Sequence, residues 1–147
     1  MWLDGVSVSF ADAKAENYIV DASTLIRNCK QFSQLHVVLL SPRLGLVRRV
    51  SMSDLARRIK LPVIAISRAH KKLTRENECS DSFDISIRGK HVTISIARVE
   101  RKTAENLYRI GCSPRGIVPE AVRVADLLAE ELNRTSRNRI DQSNRLR

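Results

Sequence analysis

The stretch Asp54–Leu73, "DLARRIKLPVIAISRAHKKL", decides how the chain is read. Leu55, Ile59, Leu61 and Ile66 are apolar at spacings that no single continuous helix needs, and Arg57, Arg58, Arg68, Lys71 and Lys72 lie between and around them. A break at Lys60-Leu61-Pro62 divides the stretch in two. Leu55, Ala56 and Ile59 then form one side of a short helix, and Ile66, Ala69 and Leu73 form the apolar side of a second helix opening near Pro62. Ser51 with Asp54 reads as a capping box that starts the first helix: the serine accepts from a first-turn amide and the carboxylate sits on the positive helix end. Two short helices crossed steeply over Leu61 bury all of these side chains together.

Charge follows the same stretch. The chain of 147 residues has a formal net charge of +10, and it is distributed unevenly. Met1–Leu40 has three basic residues against four acidic, a balance of −1; Ser41–Arg75 has ten basic against Asp54 alone, a balance of +9; Glu76–Arg147 has thirteen against eleven, a balance of +2 that completes the total of +10. A field concentrated in one segment suits a polyanionic partner, because each neutralised phosphate releases condensed counterions.

The pattern Leu55-Ala56, Ile59, Leu61, Ile66-Ser67-Arg68-Ala69, Leu73 resembles the helix-turn-helix of bacterial transcription regulators, down to the small alanine where the helices touch. It departs at Lys60, where those proteins usually carry a glycine in the left-handed conformation. Downstream, Phe83, Ile85 and Ile87 alternate, Arg88-Gly89-Lys90-His91 is a turn, and Val92, Ile94 and Ile96 alternate again. That is a hairpin in the place of a wing. Element order and length resemble MarR-type winged-helix repressors over Ala11–Asn133, although the Asp-x-Arg-Asp pattern of that family's wing is absent.

The expected fold is therefore mainly α with a small β wing, an α+β winged helix-turn-helix flanked by dimerisation helices. It occupies residues 1–133, with an N-terminal helix at 11–30, the helix-turn-helix at 51–77, the wing at 83–98 and a C-terminal helix at 119–133. "VSVSF" and "LVRRV" are short strand candidates, and "HVVLL" fits a helix or a strand. Residues 134–147, "RTSRNRIDQSNRLR", have five arginines and few apolar residues and read as a basic tail without fixed structure.

The resemblance implies a sequence-specific regulator of transcription, a repressor acting as a homodimer on double-stranded DNA, with two recognition helices ~34 Å apart. On that reading Val63, Ala65, Ser67, Arg68, His70, Lys71, Lys72 and Arg75 face the DNA, with Arg57 from the first helix and Arg88, Lys90 and His91 from the wing. Arg68 has the fork for guanine, and Lys71, Lys72 and Arg75 suit phosphates. Apolar periodicity places the dimer interface on Tyr18, Ile19, Leu25 and Ile26 of the first helix and on Ala121, Ala125, Leu128 and Leu132 of the last.

A plasmid replication or segregation protein and a winged-helix protein-interaction module are the alternatives. No enzyme activity, cofactor or metal is expected, since no phosphate loop, zinc motif or nucleophile–base arrangement is present. Cys29, Cys79 and Cys112 read as free thiols, with Cys29 and Cys112 candidates for oxidation and a small-molecule effector left open. With no apolar run of membrane-spanning length, a cytoplasmic location is expected.

Overall fold

The computed structural model describes residues 18–41, 51–68 and 81–145. Helix α1 spans Tyr18–Arg27, followed by a single 3-10 turn at Phe32–Gln34 and strand β1 at Val38–Leu40. Helix α2 spans Met52–Ile59, and strands β2, β3 and β4 span Val63–Arg68, Asp81–Ile87 and Lys90–Ala97. Helices α3, Arg101–Gly111, and α4, Glu120–Arg145, complete the order.

The four strands form one mixed sheet in the order β1-β2-β4-β3. β1 and β2 are parallel, with Val38 opposite Val63, whereas β2–β4 and β4–β3 are antiparallel. The parallel pair needs a crossover, and α2 supplies it.

The first half of the opening stretch folds as its sequence directs. Ser51 is the N-cap of α2 and its hydroxyl accepts from the Asp54 amide at 3.3 Å. Met52, Leu55, Ala56 and Ile59 make the buried side. Lys60 ends the helix in the left-handed conformation, φ 61°, the position at which glycine is favoured.

The second half overturns the helix-turn-helix. The expected recognition helix is strand β2. Val63, Ile64, Ala65 and Ile66 form an unbroken apolar run, rich in β-branched residues, and all four are buried. Their alternation serves both faces of the sheet: Val63 and Ala65 join Leu40, Leu55, Ala56, Ile59 and Ala97 on one side, while Ile64 and Ile66 join Phe83, Ile85, Val92, Ile94 and Ile96 on the other. A strand covered on both faces needs such a run, and a helix of the same length would leave half of it in water. The fold is thus α+β, as expected at that level, but it is a mixed four-stranded sheet with helices on both faces in place of the mainly α winged helix-turn-helix. Ile19, Ala22 and Ile26 of α1 pack with α2 on the first face; Ala104 and Tyr108 of α3 and Val122 of α4 cover the second.

The alternating segment at 83–96 does form the hairpin its pattern predicts. Its two-residue turn has both members at positive φ, Arg88 at 54° and Gly89 at 72°, as hairpin turns that match strand twist require. Phe83, Ile85, Val92, Ile94 and Ile96 point to the α3 side, where Arg101 lies 4.6 Å from the Phe83 ring centroid. The intervening residues are polar: Ser82 and Ser95 share a 2.9 Å hydrogen bond, and the Thr93 hydroxyl donates to Asp84.

Helix α4 continues to Arg145, so the segment expected to be an unstructured tail is helical over most of its length. No proline or glycine interrupts residues 120–147, and adding a residue to an existing helix is far easier than nucleating one. The segments "VSVSF" and "LVRRV" lie outside the described residues.

Two measurements check this architecture. Ile64→Ala is expected to lose about 2–5 kcal/mol in urea unfolding, the range for a buried large-to-small change, whereas a solvated helix position would lose almost nothing. Lys60→Gly is expected to gain about 0.5–1 kcal/mol, because removing the left-handed penalty of about 1–2 kcal/mol is only partly offset by the freer unfolded chain.

Candidate functional site

Several elements converge at the sheet end where β2 begins and β4 leaves. Val63 pairs with Ala97 there, so Lys60 and Arg98, both left-handed, bracket the same edge of the sheet. Arg98 takes φ 60° immediately after β4, which turns the chain sharply toward α3. Its guanidinium donates to the Ala56 carbonyl at 3.4 Å. That carbonyl belongs to the last turn of α2, where backbone acceptors lack helical partners and a cation is favoured.

Beside this contact lies an open cleft of about 750 Å³ lined by Ser53 and Arg57 of α2, Asp81 at the start of β3, and Ile96, Ala97, Arg98 and Val99 at the exit of β4. Helical spacing puts Ser53 and Arg57, four residues apart, on one face of α2. Arg57 is 75% exposed and forms an ion pair with Asp54. Such a pair at the surface contributes little to stability, so its guanidinium is held in place at small cost to exchange. The floor is apolar and the walls carry two guanidiniums and one carboxylate. A pocket with that mixture orients a small ligand by a few charges over an apolar base.

Two further polar groups are set by the fold. Ser41, buried at the carboxyl end of β1, donates to the Asp126 carboxylate of α4 at 3.0 Å, which ties α4 to the sheet. Tyr108 is buried beneath the 112–119 turn and its hydroxyl donates to the Ile117 carbonyl. Burial first, and the neighbouring Cys112 second, push the Tyr108 hydroxyl far above its ordinary range. Burial likewise raises the Cys112 thiol, against the opposing influence of Tyr108 and Arg88. The thiolate that oxidation would need is therefore disfavoured at Cys112.

Among the described residues, those expected to face DNA do not share a surface. Val63 and Ala65 are core, and Ser67 is buried in β2. Arg68 closes that strand, and His70, Lys71, Lys72 and Arg75 lie outside the described residues. Arg57 stands in the cleft, while Arg88, Lys90 and His91 are exposed at the hairpin turn, at the opposite end of the sheet from Ala97. Of the expected dimer contacts, Ile19 and Ile26 pack into the core and are spent there; Leu25 is exposed. Tyr18 is the first residue of α1. Ala121, Ala125 and Leu128 are exposed on α4, and Leu132 is half-buried. Arg98 was not singled out in the sequence. Its signal lay only in its place, a basic residue directly after an alternating strand.

The chain resembles a UPF0215 protein. That relative, from Methanosarcina acetivorans, is 28% identical over 148 residues, which cover 87% of this chain and 75% of the relative. No protein-family model matches the chain. In fold it is similar to a protein of unknown function from Archaeoglobus fulgidus, with a TM-score of 0.67 at 19% identity, over 83% of this chain and 78% of that one. These likenesses replace the MarR-like one. The expectations of a winged-helix repressor, and of the plasmid-type and interaction-module variants built on the same motif, fall with the helix-turn-helix itself. Among the described residues no helix is long and apolar enough to cross a membrane.

The Tyr108 environment gives a pH dependence with a definite sign. The folded state keeps the hydroxyl protonated at pH values where the unfolded chain ionises, near pH ~10, so stability is complete below that and falls as pH rises above it. Tyr108→Phe is expected to flatten this alkaline loss while lowering stability at neutral pH by about 0.5–1.5 kcal/mol for the missing hydrogen bond. Urea midpoints measured from neutral to strongly alkaline pH on both chains check it; an equal alkaline loss in the variant would refute the assignment.

Proposed function

We propose that this chain is a binding protein for a small anionic ligand, one carrying a phosphate or carboxylate group together with a hydrogen-bond donor. The observation that carries the reading is the meeting of Arg57 and Arg98 in one cleft with Asp81. Guanidinium groups present planar donor pairs that match carboxylate and phosphate oxygens, and their charge persists at every physiological pH. Asp81 supplies the complementary acceptor for an amino or hydroxyl group on the same ligand. Ile96, Ala97 and Val99 offer an apolar base for its body.

The position in the fold supports the same reading. Arg98 holds a left-handed backbone conformation that costs a non-glycine residue of order 1–3 kcal/mol, and backbone strain of this kind concentrates at ligand clamps. Its bond to α2 fixes the guanidinium before any ligand arrives, so little further ordering is needed on binding. The proposed role is binding in place of catalysis, and it fits a small-molecule partner better than a macromolecular one, because the charged groups line a recess and are not spread along a ridge.

Isothermal titration with adenosine 5′-monophosphate and with inorganic pyrophosphate tests the reading. Saturable binding of at least one probe is expected, weakened about tenfold or more in Arg57→Ala, which corresponds to about 1.4 kcal/mol. Because Arg57 is exposed, the variant's melting temperature should stay within a degree or two of the parent. Heats that never saturate, or equal affinity in the variant, would remove the cleft from consideration.

A further inference from the structure

The two guanidiniums of the cleft are held in different ways. Arg98 donates to a neutral acceptor, the Ala56 carbonyl, and among the described residues no carboxylate forms an ion pair with it. Its charge is left for a ligand. Arg57 points from α2, and its charge is already matched by Asp54, one turn back on the same helix. A ligand that needs both guanidiniums must therefore displace an anion that belongs to the protein.

Asp54 has a second place to go. Ser51 is the N-cap of α2, so Asp54 is the third residue of the helix, the position from which a capping-box side chain reaches back to the N-cap amide. The Ser51 hydroxyl accepts from the Asp54 amide, which is one half of that box. First-turn amides attract a carboxylate whether or not it also holds Arg57. Both side chains of the pair reach solvent, at 75% and 38% exposure, so exchange needs new rotamers and no shift of the backbone.

We infer, on the reading of the cleft as an anion site, that Asp54 is a built-in competitor for Arg57 and that the anionic group of the ligand is a phosphate. The ligand is taken first by Arg98, and Arg57 then leaves Asp54 to close on the same group. Competition with Asp54 is what selects the chemistry. A ligand carboxylate offers Arg57 the same single charge and the same two oxygens that Asp54 already supplies, so nothing is gained by the exchange. A phosphate group carries close to two charges and three acceptor oxygens, and it matches the planar fork of a guanidinium while leaving an oxygen for Arg98. Arg57 is thus recruited by phosphates and stays on Asp54 when a carboxylate binds.

Isothermal titration of the full chain at constant ionic strength tests this with inorganic pyrophosphate, adenosine 5′-monophosphate and malonate. Asp54→Asn is expected to tighten pyrophosphate about two- to fivefold, the range that an exposed ion pair is worth. Asparagine keeps the volume of the side chain, and the Ser51 cap uses a backbone amide, so α2 is retained. The same change made on Arg57→Ala is expected to alter affinity by less than its effect in the wild type, towards none, since the competed group is gone. Malonate is expected to bind the wild type more weakly than pyrophosphate, by about the tenfold that Arg57 contributes, and to lose nothing further in Arg57→Ala. Heats that fail to saturate with both pyrophosphate and adenosine 5′-monophosphate remove the cleft itself, and the competitor with it. Saturable wild-type binding with equal or weaker affinity in Asp54→Asn overturns the inference and leaves the cleft standing. So does a tightening that persists undiminished without Arg57, which would mark a general field effect, or malonate bound as tightly as pyrophosphate.

Discussion

The structure depends on the burial of both faces of β2. Val63 and Ala65 anchor α2 and, through Ile19 and Ile26, α1; Ile64 and Ile66 anchor the hairpin and the Ala104–Tyr108 side of α3. Burying a valine or isoleucine stabilises by about 1.5–3 kcal/mol, and here Val63, Ile64 and Ile66 do so against two different cores, with Ala65 adding less. The parallel pairing with β1 follows, because an N-capped helix of eight residues spans the crossover between the two strands.

The same strand explains why the sequence misleads. A capped short helix, a break at a lysine and a proline, and then isoleucine, alanine and leucine at spacings of three and four satisfy a helix-turn-helix pattern. The pattern uses Ile66, Ala69 and Leu73 and ignores Val63 and Ile64, which a recognition helix would expose. Two adjacent β-branched residues at exposed helical positions are an anomaly in that reading, and the strand removes it. The local features around the error were legible: the Ser51 cap, the end of α2 at Lys60 in a left-handed turn and the alternating hairpin all stand as their residues direct. What local periodicity does not carry is which strand pairs with which, and the short run at Val38–Leu40 acquires its identity as β1 only from β2 beside it.

The candidate site was less legible than the fold for a related reason. The +9 segment draws attention to charge in a line along the chain, but among the described residues the fold separates those charges: Arg57 and Arg58 stay on α2, Lys60 terminates it, and Arg68 ends β2. The guanidinium that joins Arg57 in the cleft comes from Arg98, forty-one residues on in the sequence. Its position there is a product of β4 pairing with β2, which sets Ala97 against Val63 and so delivers the next residue to the α2 terminus. No spacing rule within a single element encodes that meeting.

Lys60 and Arg98 show how the two problems are connected. Both are long basic residues held left-handed at the same edge of the sheet, where glycine or asparagine would relieve the backbone. At Lys60 the conformation ends α2 so that the chain can enter β2, and glycine there would serve as well or better. At Arg98 the side chain has a partner that glycine lacks: its guanidinium holds the Ala56 carbonyl and lines the cleft. Identical backbone strain thus has a purely structural explanation at one position and requires the side chain at the other. The strained residue whose side chain is engaged is the one that belongs to the site, and on that criterion the cleft is centred on Arg98, with Arg57 as the exposed arm and Lys60 outside it.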